Sequence, residues 1–186
     1  PRFGDFLYTE AEFAVIRREI RMFRELGADG VVVGCLTPEG NLDMQRMEIL
    51  IEEAGFLPVT LHRAFDVCTD PLQALEDAKA LGIDTILTSG QQASCAAGKG
   101  LLAELSKGAG EVRIMAGAGV DAAVIADFLK TTPIRAFHLS GKEVLQSGMS
   151  YRKEGVPMGL PGMDEFQIWR ANPESIRKAR LALDEK

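Results

Sequence analysis

A chain of 186 residues, 46% of them hydrophobic and 26% charged, has globular composition and enough length for one sizeable core, so a single domain is expected. Its net charge of -6 and pI near 5.1 argue against a nucleic-acid or anionic-membrane surface, either of which calls for clustered Lys and Arg. With no apolar run near the roughly 20 residues of a bilayer span, and no signal-like start, the expected location is the cytoplasm, without a membrane partner.

Thr9 and Glu12 are spaced as a capping box, and Phe13, Ile16, Ile20 and Phe23 follow at helical intervals until Gly27; the first element is therefore a helix. Residues 30–36 form a short apolar, β-branched run, as expected of a strand buried on both faces. A helix over 43–54 follows, with Gly55 at its end. Residues 57–62 make the next strand, and Asp70 with Pro71 supplies a capping oxygen and an N1 proline for a helix to Leu81. The pattern recurs: a strand over 83–88 and a helix over 101–107, a strand over 112–115 and a helix over 121–130, then a fifth strand over 134–139. The Gly-, Ser- and Met-rich stretch from Gly141 to Met163 has no helical period and is expected to be part of a long loop or cover over 141–171. Asn172 and Pro173 open a final helix, in which Ile176 and Leu181 are the residues expected to pack.

Evenly spaced strand-then-helix units imply an α/β protein with a parallel sheet. In most units the strand finishes in polar or small residues, as in His62-Arg63, Thr88-Ser89-Gly90, Gly117-Ala118-Gly119 and His138-Leu139-Ser140. A parallel barrel gathers all such ends at one mouth, whereas an open sheet concentrates its ligand at a switch point. The sequence thus predicts a TIM-barrel-like (β/α) fold. An eight-stranded barrel takes about 250 residues, so the five units are expected to be strands four to eight of a chain whose front part is missing, an inference that the non-methionine start also prompts.

Four stretches, residues 2–8, 57–66, 86–91 and 137–140, closely resemble signature segments of the CutC copper homeostasis family, and the resemblance runs to about residue 155. It implies a cytoplasmic protein of TIM-barrel-like fold connected with copper tolerance, with Cu(I) as the bound metal and no agreed reaction. Cu(I) favours thiolate and thioether ligands. The soft donors here are Cys35, Cys68, Cys95 and seven methionines. The three cysteines are too few and irregular for a disulfide framework and read as thiols. Cys35, at a strand end, is the candidate metal ligand, against the ordinary alternative of a small buried hydrophobe; Met149, Met158 and Met163 are further soft donors.

The residues themselves also suggest anion chemistry. Strand side chains alternate, so with Val59 and Leu61 facing helices, Thr60 and His62 point inward. His62, Arg63 and Asp66 are then candidate catalytic residues at the mouth: a histidine for proton transfer or metal ligation and an arginine for a carboxylate or phosphate. The plainer alternative is an Arg63–Asp66 structural pair beside an internal histidine. His138 obeys the same parity and joins the catalytic candidates. Gly117 and Gly119, before the helix starting at Asp121, form a candidate anion loop, or simply a tight turn. Arg2 and Asp5 cluster before the first helix, where they either meet a ligand or pair with each other. Thr88, Ser89, Gln91 and Ser140 offer further hydroxyl and amide groups. Two functions stay open: copper handling, and a barrel enzyme or binder for a small anionic or phosphorylated metabolite. A third reading is an assembly scaffold, including a homo-oligomer.

Overall fold

The computed structural model describes residues 2–153, 155–156, 159, 162 and 164–184. Helix α1 (Glu10–Glu25) begins with the expected reciprocal capping box, Thr9 accepting from the Glu12 N–H and Glu12 from the Thr9 N–H. Then β1 (Val31–Val33), α2 (Met44–Ala54), β2 (Val59–Leu61), α3 (Pro71–Ala80), β3 (Thr85–Thr88), α4 (Lys99–Gly108), β4 (Arg113–Ala116), α5 (Ala122–Thr131) and β5 (Ala136–Phe137) follow in strict alternation. Asp43, Asp70 and Asp121 each place a carboxylate oxygen on backbone N–H groups at the start of a helix, satisfying donors that have no partner within the helix.

All five strands are parallel and lie in sequence order, with Val33 opposite Leu61, Leu61 opposite Ile86 and Ile86 opposite Ile114. That register puts Val31, Val33, Val59, Leu61, Ile86, Ile114 and Ala116 on one face, and all of them are buried under the helices. The opposite face, with Val32, Thr60, Leu87 and Met115, is the concave interior of a barrel that does not close: β1 and β5 are both edges. Val32 is accordingly 61% exposed. The expected strands were several residues longer than those observed because their ends bend out of the ladder into the loops at either pole.

The expectation for 141–171 needs correction. Two strands, β6 (Lys142–Gln146) and β7 (Gln167–Ala171), pair antiparallel as a separate hairpin, with Val144 opposite Trp169 and Glu143 opposite Arg170. The final helix α6 (Pro173–Asp184) packs against α5, but through buried Ala179; Leu181 is exposed and Ile176 half-exposed, against Gly141.

Candidate functional site

The C-terminal ends of β2 to β5 meet at one pole, and the chain passes from β2 into a turn of 3-10 helix (Arg63–Val67). This turn carries the densest polar network of the mouth. Asp66 is its hub: its nearly buried carboxylate accepts from Arg63 Nε at 2.6 Å, from the Ser89 N–H at 2.9 Å, from the Gln91 N–H at 3.3 Å and from the Thr88 hydroxyl. A carboxylate so occupied positions Arg63 and the β3 end, in line with the Arg63–Asp66 structural pair offered as the plainer alternative. Thr88 and Ser89, wholly buried, are likewise engaged. The Gly90 N–H donates to Thr88 Oγ1, and Ser89 Oγ donates to the Gln92 carbonyl while accepting from Arg63 Nη2 at 3.1 Å. Gln91, in the left-handed region at φ 56°, donates its amide to the Phe65 and Cys68 carbonyls. These three residues, the expected ligand contacts, make those hydrogen bonds within the protein.

Arg63 is different. Asp66 and Ser89 fix its guanidinium, yet the side chain remains 47% exposed, with N–H groups left over to face solvent at the mouth. Beside it, His62 Nδ1 accepts from the Ala64 N–H at 3.1 Å, which assigns the neutral-ring proton to Nε2. Burial pushes the imidazole below its ordinary value of 6.5, because desolvation penalises the charged form. The ring lies 4.7 Å from that of Phe6, tilted by 42°, and over Gly34, where an added Cβ would come within 2.6 Å of it. His62 also borders a cavity of about 510 Å3 between α1 and the outer edge of β1, lined chiefly by apolar residues such as Phe6, Ile20 and Val33.

The remaining candidates separate. Gly117 lies 3.8 Å, from its absent Cβ, to the Cβ of His138, so these two strand ends are neighbours. The Gly117 N–H, however, donates to the Thr88 carbonyl and is closed to an anion; a Cβ there would also strike Leu87 at 2.7 Å. Gly119, at φ 74°, is exposed. His138 and Ser140 are exposed rather than enclosed, since no strand stands across from β5. Arg2, which also lines the cavity beside His62, donates to Asp5 Oδ1 at 2.8 Å, to Glu12 Oε1 at 2.5 Å and to the Asp5 and Leu7 carbonyls. Its hydrogen bond holds the Asp5 carboxyl below the usual range, and the pair stitches the segment ahead of α1.

The metal candidate fares worst. Cys35 is 1% exposed, and burial pushes its thiol up to about 12. Cys68 and Cys95 are also buried, and burial raises both thiols. Among the described residues no group of three or more His, Cys, Asp or Glu is placed to hold a metal ion. Met149 is exposed, and Met158 and Met163 lie outside the described residues. The three thiols, each buried and in no such group, do not fit a Cu(I) site. Sequence reasoning offered the Arg63–Asp66 pair but missed the reach of Asp66 to Thr88, Ser89 and Gln91, and missed Gly34 and Phe6 as the seat of His62.

Parallel strands in sequence order, helices on one face and polar groups gathered at the strand ends define a protein of the TIM-barrel-like (β/α) class, open between β1 and β5. The CutC family model matches residues 1–143. A family protein CutC of Bacteroides fragilis (strain YCH46) is 49% identical over 185 residues, covering 99% of this chain and 73% of that protein. A second from Vibrio vulnificus (strain YJ016) is 44% identical over 186 residues, covering 98% and 74%. A crystal structure from Streptococcus agalactiae, provisionally described as the copper homeostasis protein CutC, superposes with a TM-score of 0.71 at 29% identity, over 74% of this chain and 68% of that one. The chain belongs to the CutC family.

Proposed function

We propose that this protein acts in copper homeostasis, in the cytoplasm, by binding a small anionic ligand at its mouth and not by holding Cu(I) on its own thiols. The copper connection rests on the family and on the description of the solved relative. The anion reading rests on Arg63, a guanidinium anchored by Asp66 and Ser89 that keeps free donors at the opening. A fixed guanidinium loses little further freedom when a carboxylate or phosphate binds it. Asp66, the carboxylate beside Arg63, is fully engaged in hydrogen bonds among the described residues, so the proposal is of binding.

Calorimetric titration with inorganic phosphate and with citrate, at matched ionic strength, tests the mouth. Arg63→Gln is expected to weaken the preferred anion by about tenfold or more, the worth of charge-assisted hydrogen bonds; an unchanged affinity overturns the reading. A Cu(I) competition titration is expected to show only weak uptake. One tight site per chain would restore the thiol reading.

A further inference from the structure

At the pole opposite the mouth, where β4 and β5 begin, Ser106, Gly110, Arg113, Pro133 and Arg135 surround a pocket of about 250 Å3. Its lining contains two arginines and no carboxylate. Lys107 and Lys130, in the last turns of α4 and α5, flank it in sequence, with Glu104 and Glu111 as the acidic neighbours. In a chain of net charge -6 this is a local reversal of sign.

Arg113 makes no side-chain hydrogen bond or ion pair among the described residues, in contrast to Arg2, Arg17, Arg46 and Arg63, each of which meets a carboxylate. Arg135 donates through Nη1 to the Thr132 and Ile134 carbonyls at 2.8 and 2.7 Å. That holds its guanidinium against the turn and leaves Nε and Nη2 without a partner among the described residues. The C-terminal ends of α4 and α5 carry partial negative charge, which explains lysines in their last turns but not an arginine at the start of β4. Arg113 and Arg135 both line the pocket, and a bound anion would be attracted to both.

We propose that Arg113, Arg135 and the Ser106 hydroxyl form a second anion site, for phosphate or a small phosphomonoester. Guanidinium forks match tetrahedral oxyanions in bidentate fashion. The pocket lies below the roughly 300–1,000 Å3 of larger ligand sites, and its lining has no aromatic ring on which a nucleobase could stack. The site is independent of the mouth and of the function proposed for it.

The test is calorimetric titration of the whole chain with inorganic phosphate and with methyl phosphate, using sodium chloride of equal ionic strength as the control. Phosphate binding is expected to weaken about tenfold or more in Arg113→Gln and in Arg135→Gln, and less in Arg113→Lys, while a component of it survives Arg63→Gln. Unchanged affinity in both glutamine variants overturns the site, as does equal competition by chloride. If Arg63→Gln abolishes all binding and the other variants none, this site fails and the mouth stands; the reverse pattern sinks the mouth and keeps this site. Should a glutamine variant not fold, the lysine variants at 113 and 135 decide by the same readout.

Discussion

Asp66 shows how a residue that reads as catalytic becomes structural once its partners are known. It takes up Arg63, Thr88 and two backbone N–H groups while nearly buried. Removing an acceptor strands buried donors, which costs more than a hydrogen bond returns when formed. Asp66→Ala is therefore expected to lower stability by about 2–4 kcal/mol in urea denaturation, and Asp66→Asn by less. At Cys35 burial is decisive in another way. The folded thiol titrates near 12 against 9.0 when exposed, so its contribution to stability is complete below pH 9.0 and is lost as pH rises towards 12, where the unfolded chain has already given up its proton. In the native protein Cys35 should resist iodoacetamide at pH 7.5 and become reactive in urea. Mass spectrometry of the alkylated chain reads this directly, and fast labelling of the folded state would contradict it.

Among the elements, the loop from β3 to α4 is set by backbone proximity. Gly90 and Gly98 approach so closely that a Cβ on Gly98 would lie 2.0 Å from the Ser89 carbonyl oxygen, and one on Gly90 2.3 Å from that of Gly98. No side chain at either position can move aside, because the opposing atoms are main chain. Gly98→Ala is expected to displace Ser89, hence Arg63, lowering the melting temperature and weakening anion binding together. A variant with full stability and affinity would show that the loop has slack. The helices were legible here through capping oxygens and 3.6-residue periodicity, both local signals. The β6–β7 hairpin was not recognised, although Glu143 and Leu145 alternate with Lys142, Val144 and Gln146. Its two strands are separated by twenty residues rich in Gly, Ser and Pro, so no short turn marked them as partners.

For the molecule as a whole, the open barrel makes its two sheet faces unequal. Leu61, wholly buried under the helices, should cost about 2–5 kcal/mol when truncated to alanine. Val32, on the concave face and 61% exposed, should tolerate threonine within about 0.5 kcal/mol. Chemical denaturation of the two variants measures the contrast, and comparable losses would mean that the concave face is covered in solution. The same openness leaves His138 exposed despite its inward parity. Alternation along a strand states which face a side chain takes, but not whether anything stands across from it.

By itself the sequence determined the alternation of strands and helices, the parallel sheet, the gathering of polar residues at one pole and the family, because each depends on periodicity, caps or contiguous motifs. Only the tertiary structure decided which of those polar residues remain available. Asp66 lies more than twenty residues from Thr88 and Ser89 in the chain and meets them through the parallel register, where its carboxylate takes up the Thr88 hydroxyl and the Ser89 N–H. Arg2 is consumed by Asp5 and Glu12, and Cys35 is sealed in the core. Arg63 is both held and open, a property of solvent exposure and long-range contact that no local pattern records.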